Sequence, residues 1–146
     1  MKPLNIHLLL LFFITGCTTV NVKLPQSSYH ITHVCIRENP QVPVEEFLDV
    51  MRAGFTRHGI TSEMVGPEDF IPGEYIVSYT ASRNWDFDWY MTHAEIYIQK
   101  DERIIASATY HLKLNGGWTF SKYESVETKL DPVMDELLEG IPNRQY

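Results

Sequence analysis

The middle of the chain, residues 74–112, alternates apolar and polar side chains with a period of two. Successive side chains of an extended strand point to opposite faces, so this alternation predicts strands with one buried face. The first strand is predicted at residues 74–81. The next two, 93–99 and 104–112, flank a polar turn and predict a hairpin. Shorter strands are predicted at 29–37 and 60–65, with a short edge strand at 118–120.

Two segments with apolar residues at helical spacing flank these strands. The first is predicted to begin at Pro43 and to end at Gly59, and the second to begin at Asp131 and Pro132. Whether residues 122–129 form an earlier helical segment is left open by the pattern. The order β-α-β-β-β-β-α predicts an α+β fold, with an antiparallel or mixed sheet of four to six strands and two helices on one face.

The first 17 residues have the parts of a secretory signal. The cation Lys2 precedes an apolar run over residues 8–13, and this run is too short for a comfortable membrane span. The run closes on Ile14-Thr15-Gly16-Cys17, which resembles the lipobox of bacterial lipoproteins. The resemblance implies cleavage between Gly16 and Cys17 and a lipid on Cys17. An ordinary cleaved signal or a short N-terminal anchor is the alternative.

These segments divide the chain into three parts. We expect a lipoprotein signal peptide at residues 1–16, a flexible tether at 17–28 and a single α+β domain at 29–146. In element order the domain resembles small uncharacterised α+β domains of Gram-negative envelope lipoproteins, including those built like the N-terminal domain of TolB. The residue after the lipidated cysteine is Thr18, not the aspartate associated with inner-membrane retention. The resemblance therefore implies an outer-membrane anchor, with the domain facing the periplasm.

The net charge limits the kinds of partner that the chain can bind, and the cysteine count limits its disulfides. The net charge of −7 disfavours binding to nucleic acid or to an anionic lipid surface, so we expect membrane contact through the lipid alone. A lipid on Cys17 leaves Cys35 as the second of only two cysteines, without a disulfide partner in the chain. Because Val34 and Ile36 flank it, we expect Cys35 to lie shielded in a strand and to have no reactive role.

The sequence holds no catalytic signature that would predict an enzyme. It has no G-x-S-x-G elbow, S-x-x-K, H-E-x-x-H, C-x-x-C pair or glycine-rich phosphate loop. We therefore expect no catalytic residues, no cofactor and no enzymatic activity.

The histidines provide weak candidates for a metal site. His30 and His33 face opposite sides of a strand, which disfavours a shared ion. The expected hairpin register places His93 opposite His111 on the polar face. Since no third ligand is evident beside this pair, the sequence predicts no metal site.

The stretch between residues 85 and 90 interleaves four aromatic residues with two aspartates. One interpretation is a long strand whose aromatic side chains pack inward at period two. The other is an exposed surface that binds a partner or ligand, because aromatic residues are enriched at interfaces. The candidate interface residues are Trp85, Phe87, Trp89 and Tyr90.

The leading functional hypothesis is an outer-membrane lipoprotein with a periplasmic protein-binding or assembly domain and no catalysis. We expect an envelope protein as its partner, and association with further copies through a strand edge is a second possibility. One alternative is a periplasmic lipoprotein that binds a small ligand or a metal. Another is an inhibitor or immunity-type lipoprotein that acts on an envelope enzyme through the aromatic stretch.

Overall fold

The computed structural model describes residues 18–24, 29–69, 71–113, 120–139 and 141, and the side chains of Phe120 and Ser121 are not described. Two helices and a short 3-10 helix accompany six strands in this part of the chain. The strands are β1 (Thr18–Lys23), β2 (His33–Arg37), β3 (Thr61–Val65), β4 (Tyr75–Asp86), β5 (Asp88–Lys100) and β6 (Arg103–Leu112). The helices are α1 (Phe47–Arg57) and α2 (Val126–Leu138), and the 3-10 helix is Phe120–Tyr123.

The six strands form one mixed sheet in the spatial order β1-β6-β5-β4-β2-β3. Strand β2 runs parallel to both β3 and β4, and the other neighbours are antiparallel. From β2 to α2 the elements follow the order β-α-β-β-β-β-α, so the predicted α+β fold is confirmed. The parallel β2–β3 pair is joined through α1, since parallel neighbours need a crossover connection.

The centre of the sheet is the pair of hairpins β4–β5 and β5–β6. The predicted register is confirmed, because Ile98 pairs with Ala106 and His93 with His111. The alternating apolar residues of these strands are buried on the face that the helices cover. The opposite face carries the polar members of the alternation, among them His93 and His111.

Both helices contribute to the same core cluster as the apolar face of the sheet. On α1 the ring of Phe47 stacks on Tyr79 of β4, with centroids 5.7 Å apart. The two helices also touch each other closely at Gly54, where an added Cβ atom would lie 2.9 Å from the Cβ atom of Met134. Gly54 therefore sets the spacing of the helix pair.

The helix boundaries differ from the sequence-based expectation at both N-termini. Helix α1 begins at Phe47, whereas its end before Gly59 is as predicted, with Gly59 at a positive φ of 71°. Helix α2 begins at Val126, and its cap is Ser125, whose hydroxyl accepts a hydrogen bond from the Thr128 backbone N–H. Pro132 lies inside α2. Burial of the helical stripe outweighs the one backbone hydrogen bond that proline cannot donate.

The prediction of a flexible tether at residues 17–28 is wrong for residues 18–23. These residues form β1, and each pairs with a residue of β6, from Thr18 with Leu112 to Lys23 with Ser107. The pairing is made by backbone groups, which the polar composition of the segment did not reveal. It covers an edge of β6 that would otherwise be unpaired.

Several expectations fall on parts of the chain that the structure does not describe. Residues 1–17, including Gly16 and Cys17, lie outside the described residues, as do 25–28 and 114–119. The predicted edge strand at 118–120 is wrong at its last residue, because Phe120 begins the 3-10 helix. No helix within the described segments is both long enough and apolar enough to cross a bilayer.

Gly54→Ala tests the close approach of the helices. We expect the free energy of unfolding to fall by about 1–3 kcal/mol, because the new methyl group forces α1 and α2 apart. Urea denaturation measures the change. The control is Ala53→Gly on the exposed side of α1, which isolates a helix-propensity effect of about 1 kcal/mol. A Gly54→Ala protein that is more stable than wild type would contradict this helix spacing.

An ion-pair network joins the end of α1 to α2. Asp135 accepts hydrogen bonds from His58 and Arg57, both at 2.9 Å, and Arg57 also pairs with Asp131 at 3.1 Å. The hydrogen bond from His58, with the contribution of Arg57, lowers the pKa of Asp135. Because the Asp135 side chain is 53% exposed, we assign the network less than about 1 kcal/mol.

Asp135→Asn tests this network through its pH dependence. A carboxylate with a lowered pKa stabilises the folded state above its unfolded-state pKa, and the contribution is lost as the pH falls through the folded-state value. We expect the variant to be less stable than wild type at neutral pH. The difference should begin to shrink as the pH falls to about 4 and should disappear only below the lowered folded-state pKa of Asp135. Denaturation curves at several pH values measure it, with Glu136→Gln as the control for removing one exposed charge. A difference that persists at low pH would refute the electrostatic origin.

Candidate functional site

Three large aromatic side chains are exposed where β4 turns into β5. The exposed fractions are 60% for Trp85, 81% for Phe87 and 55% for Trp89. The chain reverses direction at Phe87, so that Trp85 pairs with Trp89 across the ladder. The interpretation of a single long strand whose aromatic side chains pack inward is therefore wrong, because the chain reverses at Phe87 and all three rings are exposed. We call Trp85, Phe87 and Trp89 the aromatic tip.

The backbone of Phe87 lies in the left-handed region, with a φ of 63°. This conformation costs a residue with a Cβ atom roughly 1–2 kcal/mol, and glycine or asparagine would adopt it at less cost. The ring of Phe87 is exposed and does not repay this cost by burial in the core. Left-handed backbone occurs at functional sites and also in hairpin turns, as at Asp101 and Glu102 of the β5–β6 turn. The exposed ring at this turn is therefore what makes the tip a candidate for binding.

The 3-10 helix holds the base of the aromatic tip. Lys122 forms an ion pair with the Asp86 carboxylate, and Tyr123 donates a hydrogen bond of 2.5 Å to the Asp86 carbonyl. The pKa of Lys122 is raised, mainly by its hydrogen bond to Asp86. Tyr90 is buried and packs edge-to-face on Tyr123 at 5.9 Å. Tyr90 was predicted as an interface residue, but it is not exposed with the other three aromatic residues. It packs at the base of the tip instead.

A groove of about 220 Å³ lies beside the tip. The pairing register of β4 and β5 shifts between Ser82 and Arg83, an irregularity of the kind that bends a strand. The Arg83 guanidinium lies 4.5 Å from the centre of the Trp89 ring, within the range of a cation–π contact. The side chains that line the groove are Val44, Glu45, Glu46, Arg83, Trp89, Tyr90, Met91 and Val126. The groove therefore combines apolar walls with charges of both signs.

The tip and the start of β1 lie at the same end of the sheet. Thr18 pairs with Leu112, the last residue of β6, and the neighbouring His111 pairs with His93 of β5. Beyond His93 the hairpin continues to Phe87 with β4 as the partner of β5. The tip thus projects from the end at which the described chain begins.

The structure brings His93 and His111 together, as the register predicted. Their ring centroids are 5.7 Å apart. His93 Nε2 lies 3.1 Å from Glu95, and Glu95 also accepts a hydrogen bond of 3.0 Å from Tyr97, whose pKa this bond raises. These contacts give His93 a hydrogen-bonding role on the open face of the sheet, where its ring packs edge-to-face on His111.

A different group of possible metal ligands lies on β2 and β3. Among the described residues, the one group of three such side chains with ligand atoms within 4.8 Å of one another is His33, Cys35 and Glu63. Cys35 is buried, as expected, and burial with the hydrogen bond to Glu63 raises the pKa of its thiol to about 11. Sequence reasoning missed this group. The available signal was the spacing of two between His33 and Cys35, which puts them on one face of a strand.

Comparison with known proteins shows the fold. The sequence matches no protein-family model and no curated protein. Two solved dodecamers of PelC from Paraburkholderia phytofirmans, one of them a variant, superpose with TM-scores of 0.57 and 0.56 at 12% and 11% identity. Each comparison covers 88% of this chain and 99% of the PelC chain. At this identity the similarity establishes a shared fold, and the resemblance to TolB domains stays a prediction.

A further solved structure is more distant. It is a minor lipoprotein from Acinetobacter baumannii with a TM-score of 0.31 at 13% identity, covering 74% of this chain and 87% of the other. This score is too low to show a common fold.

Substitutions at the aromatic tip test its exposure. We expect Trp85→Ser and Trp89→Ser each to change the free energy of unfolding by less than about 1 kcal/mol, because these rings are largely in water. Phe87→Gly should stabilise the protein by roughly 1 kcal/mol by relieving the left-handed backbone. Urea denaturation measures all three. The contrasting variant is Ile98→Ala in the core, with an expected loss of about 2–5 kcal/mol. Losses of that size for Trp85→Ser or Trp89→Ser would show that these rings are packed in the core and would contradict their exposure.

Proposed function

We propose that this protein is an outer-membrane lipoprotein whose periplasmic domain binds protein partners through the aromatic tip and has no catalytic activity. The observation that carries the proposal is the tip itself, three exposed aromatic side chains on a strained turn. The lipobox-like Ile14-Thr15-Gly16-Cys17 supports the anchor.

The chemistry of the tip suits a protein interface. Aromatic residues supply large apolar contact areas and are enriched in the buried centre of interfaces. Arg83 lies against Trp89, and the ion pair of Lys122 with Asp86 holds the hairpin base. The tip is therefore supported before a partner arrives, which lowers the entropy cost of binding.

The position of the tip favours a second copy of this chain as the partner. Strand β1 starts at Thr18, directly after the proposed lipid site, so a lipid on Cys17 holds the domain close to the bilayer. The tip lies at that same end of the sheet. Copies that share an anchor of the same length present their tips at the same height above the membrane. The PelC structures with this fold are dodecamers, which makes self-assembly the first arrangement to test.

Crosslinking in intact cells tests the proposal. The protein is then purified through a C-terminal tag, and wild type is compared with a variant carrying Trp85→Ser, Phe87→Ser and Trp89→Ser. We expect crosslinked oligomers in wild type and at least a tenfold loss in the tip variant, because removing central aromatic anchors costs each contact about 2 kcal/mol or more. The matched control is Ile104→Ser, an exposed apolar residue near the β5–β6 turn at the other end of β5.

Other outcomes distinguish the competing functions. Cys17→Ser should release the protein from the outer-membrane fraction, and retention there would refute the lipid anchor. Crosslinks that survive in the tip variant would refute the tip as the interface. If the tip variant instead loses binding to phosphatidylethanolamine–phosphatidylglycerol vesicles, the tip contacts lipid. Recovery of a single envelope hydrolase through the tip would identify an inhibitor.

A further inference from the structure

We propose that His33, Cys35 and Glu63 form a binding site for one zinc ion on the face of the sheet that the helices do not cover. The site lies away from the aromatic tip, since Cys35 pairs with Ile76 near the start of β4 and the tip follows the end of that strand. It is separate from the His93–His111 pair and independent of the proposed protein interface.

The parallel pairing of β2 and β3 places the three side chains side by side. His33 and Cys35 are two residues apart on β2 and therefore point to the same face. In the parallel register Cys35 is the partner of Glu63, and His33 is the partner of Thr61. Four neighbouring positions on two strands thus hold three ligands and one hydroxyl.

The distances between the ligand atoms fit a tetrahedral zinc ion. Cys35 Sγ lies 3.9 Å from His33 Nε2 and 3.5 Å from Glu63 Oε1, and the last two atoms are 3.6 Å apart. Zinc bonds of about 2.3 Å to sulfur and about 2.0 Å to nitrogen and oxygen, at tetrahedral angles, separate ligand atoms by roughly 3.3–3.6 Å. Adjustments of a few tenths of an ångström therefore complete the geometry.

Thr61 orients the imidazole for metal binding. Its hydroxyl donates a hydrogen bond of 3.2 Å to the Thr32 carbonyl, so its oxygen is free to accept one from His33 Nδ1–H at 2.8 Å. This arrangement places the histidine proton on Nδ1 and leaves the lone pair of Nε2 directed at Cys35 and Glu63. Supporting contacts of this type fix the tautomer of metal-binding histidines in known sites.

Burial divides the roles of the three ligands. The Cys35 side chain is fully buried, which shields its sulfur, whereas Glu63 is 59% exposed and His33 is partly exposed. The ion enters from the solvent side between these two residues. The Cys35 thiol, which donates to Glu63 Oε1, then releases its proton to solvent and binds zinc as a thiolate. Three protein ligands leave the fourth position for water.

Calorimetric titration with zinc chloride tests the site. The full chain carries Cys17→Ser, so that Cys35 is its sole thiol, and the solution contains a non-thiol reductant. We expect one zinc ion per chain and a higher midpoint of thermal unfolding, because the ion links the edge strand β3 to β2. His33→Ala, Cys35→Ala and the exposed Glu63→Gln should each lose affinity by at least tenfold. The matched control His93→Ala should bind zinc as the parent protein does.

Two further measurements separate a metal site from a simple hydrogen-bonded cluster. Cobalt(II) in place of zinc should give the visible bands of a tetrahedral ion and a sulfur-to-cobalt charge-transfer band that Cys35→Ala removes. Thr61→Val should weaken zinc binding about 10–100-fold by freeing the imidazole, and Thr61→Ser should restore it.

The proposal is overturned by any of three results. The first is the absence of both binding heat and thermal stabilisation with zinc. The second is equal zinc affinity in the parent, His33→Ala and Glu63→Gln proteins, which would place the ion elsewhere. The third is a cobalt spectrum without the sulfur band, which would exclude the thiolate ligand. None of these results bears on the aromatic tip or on the lipid anchor.

Discussion

Strand β5 pairs with β4 from Asp88 to Lys100, except at Thr92, and with β6 from His93 onward. The rest of the sheet is arranged around this ladder. Its alternation places Ala94, Ile96 and Ile98 under the helices and the polar residues between them on the open face. Between Asp88 and Thr92 the antiparallel partner is β4 alone. A two-stranded extension has neighbours on fewer sides than the sheet, so the rings of the aromatic tip stay largely in water, whereas Tyr90 is buried against Tyr123 of the 3-10 helix.

The second organising contact is the parallel pairing of β2 with β3 and β4. It depends on α1, which carries the chain across the sheet and buries Phe47 against Tyr79. Because the strands are parallel, residues separated by the whole crossover become lateral neighbours. His33 and Glu63 meet in this way, and the helix that brings them together packs on the other face.

The β5 ladder and the parallel pairing of β2 place the two proposed binding sites in different parts of the sheet. The aromatic tip and the start of β1 share one end of the sheet, while the three ligands lie on β2 and β3 away from that end. Each site also has its own structural support. The 3-10 helix holds the tip through Asp86, and Thr61 holds the imidazole of His33. Binding at one place therefore leaves the other accessible.

The sequence by itself determined the α+β class, the hairpin register that pairs His93 with His111, and the burial of Cys35. These features depend on local periodicity and on short connections, which neighbouring residues encode. The tertiary structure decided that residues 18–23 form an edge strand, that the chain reverses at Phe87, and that Cys35 meets Glu63. These three features depend on backbone pairing between distant segments or on a turn in an unfavourable conformation. Backbone pairing and turn conformation leave no hydrophobic pattern in the sequence.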